Sequence, residues 1–279
     1  DTPEGFGPIF SFFWRNAILL LLLSEGETVS LCDLDRVFHD AKFSNERLST
    51  CSDPMVVRFW KNIAIKTGGE ASLENITPYI VSKLTGITGN PLVRPLISGE
   101  AAPIDLQAAL DRREPIFVNL AKGSAGATDA ALMGAMFISE LFGTLLARCA
   151  RPRDQRPVVR IYADEFQTYA SDTLAQLMAE GRKTGAELVL CSQDLTSFGG
   201  SRFQPQVADA ILSNVGNLLC FRTGPRDAAL LSEWFSPSLT RADLTRLPDR
   251  VFAARLLRRG IPQEPTLLRT LDEDLSAAR

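Results

Sequence analysis

Apolar positions along the chain follow two patterns, and the change falls near Ala101. Before it, they recur at helical spacing. The run Ala17–Leu23, approached through Phe12, Phe13 and Trp14 and interrupted by Arg15 and Asn16, predicts a buried amphipathic helix that starts around Ser11 and stops near Gly26. That run is far shorter than the roughly 20 residues of a membrane span. Leu31–Phe38 has helical spacing, with Asp33 serving its first turn. Asp53-Pro54 predicts a further helix, with Pro54 at the first helical position and Val56, Val57, Phe59 and Trp60 on its apolar side. Thr77-Pro78 predicts the start of another, through Ile80, Val81 and Leu84. Gly68-Gly69, Gly86 and Gly89-Asn90-Pro91 separate these pieces, and no strand is expected between Asp1 and Glu100.

After Ala101 short apolar runs alternate with helical ones. PIFVNL (115–120), VVRIYA (158–163), ELVLCS (187–192) and NLLCFR (217–222) read as strands. Helices are predicted over 130–147, 171–181, 206–213 and 227–234; Gly134, Ala135 and Gly143 permit close packing in the first, and Ser171 or Asp172 caps the second. Val251–Leu257 and Thr266–Arg269 suit a terminal hairpin. Alternating strands and helices imply an α/β fold with a mainly parallel sheet. The expected organisation is an all-α subdomain over 1–105 and an α/β core over 106–279.

Composition narrows the chemistry. Of 279 residues, 45% are hydrophobic and 23% charged, which fits a globular chain and excludes a disordered or fibrous one. The net charge of −3 means that any nucleic-acid contact must come from local patches. The five cysteines form no CxxC pair and His39 is the one histidine, so zinc-ligand spacing is absent. A Ser/His/Asp hydrolase would depend on His39, which lies in a segment with no nucleophile elbow.

The sharpest local signal is VVRIYADEFQTY, where an apolar strand ends in Asp164-Glu165. Open α/β sheets bind ligands at that end of their strands. Adjacent carboxylates there suit nucleoside triphosphate hydrolysis, Asp164 holding Mg²⁺ directly or through water and Glu165 orienting and deprotonating the attacking water. The competing reading is an exposed acidic pair opening a loop. Gln193 follows the strand ELVLCS and would sense a γ-phosphate or contact the water; alone it reads equally as a solvated turn residue. Arg182, in Glu180-Gly181-Arg182-Lys183, would offset transition-state charge at a neighbour's phosphate, or is a surface arginine. The ordered set of strand-DE, helix-GRK and strand-SQ is more specific than its parts. No G-x-x-x-x-G-K-[ST] phosphate loop occurs: Gly181-Arg182-Lys183-Thr184 has the wrong spacing, and Gly123-Ser124-Ala125-Gly126 has no Lys-Ser/Thr at its end.

The stretches EPIFVNLAKGSAGATDAALMGAMFISELFGTLLAR, VVRIYADEFQTYA, LAQLMAEGRKTGAELVLCSQ and ILSNVGNLLCFRTGPRDAALLSEWF resemble the TraG/TraD-like coupling ATPases of conjugation and type IV secretion, within the HerA/FtsK group of RecA-like DNA-pumping motors. WRNAILLLL, SDPMVVRFW and NPLVRPLISG resemble the helical region such proteins carry between Walker A and Walker B. The resemblance implies a RecA-like P-loop NTPase core with an inserted all-α subdomain, acting as a homo-hexameric ring that couples ATP and Mg²⁺ to DNA translocation. Asp164 and Glu165 match the family's Walker B, Gln193 its glutamine motif, Arg182 its arginine finger, and Arg222 an arginine near the nucleotide. Relaxosome and type IV secretion channel components are the implied partners. The implied location is cytoplasmic or at the inner membrane, through an anchor not present in this chain. In this family Walker A precedes the helical insertion, so the chain is expected to start downstream of it. Lys122 and Arg202, in Gly-rich loops, are the candidates for DNA contact against the competing reading of ordinary solvated charge, with Phe198 and Phe203 stacking on bases or packing internally. The rivals are a non-catalytic DNA-recognition, substrate-recognition or assembly module that kept the fold, and a DEAD-type helicase, disfavoured because no Ser-Ala-Thr motif follows.

Overall fold

The computed structural model describes residues 7–64, 66, 68–69, 72–99, 104–120, 122–195 and 205–271, with their side chains except those of residues 124, 125, 172, 182, 205–208 and 210. The chain divides into two compact units. Unit 1 is Asp1–Asp105 with Lys122–Asp129, and unit 2 is Leu106–Ala121 with Ala130–Arg279.

Unit 1 is helical, and its start signals are local hydrogen bonds. Helix α1 (Pro8–Leu23) begins at Pro8 rather than Ser11, without a side-chain cap, because a proline at the first position has no N–H to satisfy. The expected Leu31–Phe38 helix is broken into a 3₁₀ turn (Leu31–Asp33) and α2 (Arg36–His39), since Asp33 accepts the Ser30 N–H and also binds Arg36. Asp40 caps α3 (Ala41–Thr50), and Asp53 caps α4 (Pro54–Arg58) by accepting the Met55 N–H at 2.7 Å. A π-helical turn (Phe59–Ala64) then buries Phe59 and Trp60, and the Trp60 indole donates to the Asn16 carbonyl at 3.2 Å. Helix α5 (Leu73–Thr88) starts earlier than Thr77-Pro78, at a Ser72 cap, and carries Pro78 inside it. Its buried stripe of Ile76, Ile80 and Leu84 holds the helix across the proline. Short helices α6 (Arg94–Ile97) and, after α7 of unit 2 (Leu106–Asp111), α8 (Lys122–Ala125) complete the helical elements outside the core. Among the described residues before Glu100 the β structure is one isolated bridge, Ser24 to Cys51.

Unit 2 is mixed α/β. Helix α9 (Ala127–Ala147) is followed by strand β1 (Val159–Ala163), α10 (Asp172–Thr184) and β2 (Ala186–Leu190). The stretch Ala127–Ala150 is long and apolar enough to cross a membrane by length and composition, with a mean hydropathy of 1.7. Ile138, Leu141, Phe142 and Leu145 on its helix are buried in the same cluster as Leu174 and Leu177 of α10 and Ala163 of β1. Gly185 closes α10 at φ 75° and its N–H bonds to the Gly181 carbonyl, so β2 starts one residue later. β1 and β2 are parallel, in the register Val159 to Ala186 and Ala163 to Leu190. Their inward residues Val159, Ile161, Leu188 and Leu190 pack on the helices, while Arg160 and Glu187, opposite each other, pair at 2.8 Å on the outward face.

After β2 come α11 (Pro205–Asn214), β3 (Leu218–Cys220), α12 (Pro225–Phe235), α13 (Arg241–Thr245), β4 (Val251–Arg255), β5 (Leu257–Arg258), β6 (Ile261–Pro262) and β7 (Thr266–Arg269). β4 pairs antiparallel with both β3 and β7, and β5 with β6. The expected terminal hairpin is thus present, built on β4 and β7. The expectation of a mainly parallel sheet is met only by the β1–β2 pair among the described residues. PIFVNL forms no strand: residues 115–120 are irregular, and Phe117 is 93% exposed. A strand needs a neighbouring backbone to bond to, and none of the described strands pairs with this one.

Candidate functional site

The carboxyl ends of β1 and β2 stay in register past their last residues. The Cys191 N–H donates to the Ala163 carbonyl at 2.8 Å, and the Phe166 N–H donates to the Cys191 carbonyl at 3.2 Å. Asp164 and Glu165 therefore emerge beside Ser192 and Gln193. Glu165 adopts φ 50° and ψ 36°, the left-handed region that non-glycine residues seldom occupy. That conformation ends the strand and starts a 3₁₀ turn over Phe166–Thr168. The Glu165 N–H donates to Asp164 Oδ1 at 3.0 Å, which stabilises the turn.

Both oxygens of the Glu165 carboxylate accept a side-chain amide. Gln193 Nε2 donates to Oε1, and Gln167 Nε2 donates to Oε2 at 3.2 Å. Tyr169 supports the turn from below: its hydroxyl donates to the Asp164 carbonyl at 3.0 Å. Burial raises the Tyr169 phenol above its ordinary value, and the Asp164 and Cys191 charges add to this, so it remains a donor at neutral pH. Gly134 of α9 makes room for Tyr169; a Cβ there would lie 2.7 Å from the Tyr169 Cβ. Behind Gln193, the buried Asp227 at the start of α12 accepts the Leu195 N–H at 3.0 Å and anchors the chain leaving β2. The same carboxylate, after burial itself, helps push the Cys220 thiol up to about 11.

The acid pair thus has divided surroundings. Glu165 is partly buried, and each of its carboxylate oxygens accepts a neutral side-chain amide. Asp164 is exposed, and its Oδ2 has no partner among the described residues. Among the described residues no group of three or more His, Cys, Asp or Glu side chains forms a metal site. Mg²⁺ tolerates this, since it binds through one or two carboxylates, waters and substrate phosphates. Asp164 fits that role with a phosphorylated ligand and not as part of an all-protein cage.

The structure brings together Asp164, Glu165 and Gln193. It does not bring Arg222 to them: that guanidinium pairs with Asp249 at 2.9 Å. Arg182 belongs to the last turns of α10, ahead of Gly185, and its side chain lies outside the described set. Lys122 is exposed in α8 of unit 1. Arg202, Phe198 and Phe203 fall outside the described residues. Sequence reasoning named Gly134 as permitting close packing but did not single out Gln167, Tyr169 or Asp227. The first two lie within the VVRIYADEFQTY motif, at positions two and four after Glu165; Asp227 is distant in sequence and carries no local signal.

The fold and this acid-pair site define a mixed α/β protein with the architecture of conjugative coupling proteins, and the TraG/TraD-type resemblance holds at the level of the fold. No protein-family model matches the sequence, and no curated protein matches it. Among solved structures the chain is similar to the bacterial conjugative coupling protein TrwBΔN70 in its unbound form, with a TM-score of 0.67 and 15% identity over 98% of this chain and 65% of that one. TrwB with the non-hydrolysable analogue ADPNP gives 0.67 at 13% identity, and TrwB with ADP and Mg²⁺ gives 0.66 at 15%, with the same coverage. The chain therefore spans about 65% of the length of the coupling-protein structures it matches.

Proposed function

We propose that the chain is the Walker B-bearing part of a RecA-like motor that couples ATP hydrolysis to DNA movement in conjugation or type IV secretion. The observation that carries this reading is the Glu165 carboxylate held between the Gln193 and Gln167 amides at the ends of two parallel strands, with Asp164 exposed beside it. The nucleotide and Mg²⁺ complexes of the structurally similar TrwB support it.

In this reading Asp164 holds Mg²⁺ with the nucleotide, and the metal supplies neutralisation of phosphate charge. Glu165 takes the proton of the attacking water, with its lone pairs aimed by the two amides. Gln193 spans the two strand ends, so a ligand that draws its amide away from Glu165 changes the base's orientation. Arg182 acts on the nucleotide of an adjacent subunit in a hexameric ring. Arg222 serves the nucleotide only if it leaves Asp249. Lys122 and Arg202 contact the DNA backbone. Relaxosome and secretion-channel components are the partners, with the cytoplasm or the inner membrane as the location. The all-α subdomain is assigned to residues 1–105 and the motor core to 106–279.

The sequence holds no G-x-x-x-x-G-K-[ST]. Backbone amides and a lysine in such a loop supply most of the grip on a triphosphate. Residues 1–279 alone are therefore expected to hydrolyse ATP negligibly. The test is Mg-ATPase turnover by the product of the complete coding frame, with and without Glu165→Gln. That substitution keeps the size and loses the base, and should lower kcat by about 10²–10⁴-fold with nucleotide binding retained. Unchanged turnover would remove Glu165 from the mechanism. Absence of turnover in the unaltered product, with DNA binding retained, would favour the non-catalytic module.

A further inference from the structure

Unit 1 carries a groove that the acid pair does not use. It opens between the end of α3 and the outer face of α4 with its π-helical turn, and its volume is about 590 Å³. Leu48 is buried and Cys51 and Val57 are half-buried in its floor, while Arg58, Lys61 and Asn62 are exposed along one side. The sequence spacing explains the division. Pro54, Val57, Arg58 and Lys61 recur at i, i+3, i+4 and i+7, so they share a helix face. Val56, Phe59 and Trp60, on the other face, are buried in the core cluster of unit 1. Single π-helical turns within helices recur at functional sites, and this one supplies Lys61 and Asn62 to the groove.

The wall joining α3 to α4 is tied down. The Ser52 N–H and hydroxyl both donate to the Leu23 carbonyl, at 2.9 and 3.1 Å, and Cys51 bridges to Ser24. The Thr50 hydroxyl donates to the Glu25 carbonyl at 2.9 Å. A preformed site of this kind loses little freedom when it is filled. Charge then selects the occupant. The lining includes Arg58 and Lys61 but no carboxylate, and neither cation has an ion pair or side-chain hydrogen bond among the described residues. Elsewhere in unit 1, Arg36 pairs with Asp33 at 2.8 Å and Arg47 donates to the Glu27 carbonyl. Nucleic acid needs a longer track of cations and exposed aromatic rings, and the lining holds no aromatic side chain. A bare inorganic anion would leave the apolar floor uncovered.

We infer that this groove binds an acidic peptide segment of a partner protein. One apolar side chain of the peptide covers Leu48, Cys51 and Val57, and the carboxylates flanking it meet Arg58 and Lys61. Arg58 can grip a carboxylate with two parallel N–H donors, whereas Lys61 acts as a point charge. The Asn62 amide offers both a donor and an acceptor to the peptide backbone. Every residue of the site belongs to unit 1, so the inference stands apart from the ATPase reading.

Titration of residues 1–279 into a short fluorescein-labelled peptide that alternates glutamate with leucine, followed by anisotropy, tests this. Binding should saturate. Arg58→Glu combined with Lys61→Glu should weaken it at least about tenfold, since like charges then face each other. Arg15→Glu changes an exposed cation of α1 outside the groove and should leave binding unchanged. Exchanging the peptide's glutamates for glutamine should weaken binding through the two cations, and exchanging its leucines for serine should weaken it through the floor. All three substituted side chains are exposed, so the variants should melt with the unaltered chain. Absence of saturable binding, an equal loss with Arg15→Glu, or indifference to either peptide change would overturn the inference. So would a single-stranded oligonucleotide that binds through Arg58 and Lys61 where the peptide does not.

Discussion

The Gln193 amide donates to the Glu165 carboxylate across the ends of β2 and β1. Two residues 28 positions apart are thereby locked into one unit by parallel pairing of the strands that precede them. The other oxygen of the same carboxylate accepts the Gln167 amide.

Gln193→Ala should therefore lower kcat of the complete product by about tenfold or more, because misplacing a reacting group by a fraction of its length is costly. Gln193 is exposed, so the thermal midpoint should hardly move. Steady-state kinetics with parallel thermal melts separate the two effects, and full turnover in the variant would reduce Gln193 to a turn residue.

Arg182 should act between subunits. An arginine supplied in trans is worth about 10³–10⁵ in rate in phosphoryl-transfer enzymes. Arg182→Ala and Glu165→Gln proteins, each nearly inactive, should partly restore ATPase when mixed, since some interfaces then join an intact Glu165 to an intact Arg182. If Arg182→Ala alone keeps full activity where rings assemble, it is a surface charge.

Gly134→Ala should disturb the acid pair from a distance. The added methyl meets the Tyr169 Cβ and ring base at under 3 Å, so Tyr169 must shift and its bond to the Asp164 carbonyl weakens. Overpacking of this kind costs about 1–3 kcal/mol. Thermal unfolding should show the loss, and Gly143→Ala, which meets nothing within 4 Å, is the control.

Acid should destabilise the fold in a defined window. Asp111 is held below its ordinary value by the Gln107 amide and then by Arg151. Asp243 is held down by the Thr240 hydroxyl and N–H. Asp33 is also lowered: partial burial opposes this, but the Ser30 donors and Arg36 prevail. For carboxylates with folded values below their unfolded ones, the stabilisation is full above the unfolded value and disappears as pH falls through the folded one. The melting temperature should hold from neutrality to about pH 4 and drop below it. Asp111→Asn should flatten part of that acid limb; an identical limb in the variant would assign the loss to other groups.

The elements most legible in the sequence were those whose causes are local. VVRIYA and ELVLCS are short apolar runs separated by a helical one, Ser171 caps α10 through the Leu174 N–H, and Gly185 ends it, so the acid pair and Gln193 could be placed at strand ends. PIFVNL has the same texture but forms no strand, because pairing depends on a neighbour and composition cannot supply one. Pro78 misled in the opposite direction: it resembles a helix start, yet Ser72 had already capped the turn and buried isoleucines carried the helix past it. The left-handed Glu165 and the Gly134–Tyr169 contact are set by tertiary packing across 30 or more residues of chain in the second case, and no local periodicity encodes them.

The Arg160–Glu187 ion pair lies on the outward face of the β1–β2 ladder, between residues that are partners in the observed register. Sliding β1 by one residue would turn its apolar side outward. Sliding it by two would preserve the faces, and side-chain burial alone discriminates poorly against that error. A two-residue slip, however, separates the two charges and draws Glu165 about 7 Å along the strand away from Gln193. The pair thus forms in the same alignment in which the acid and the amide meet.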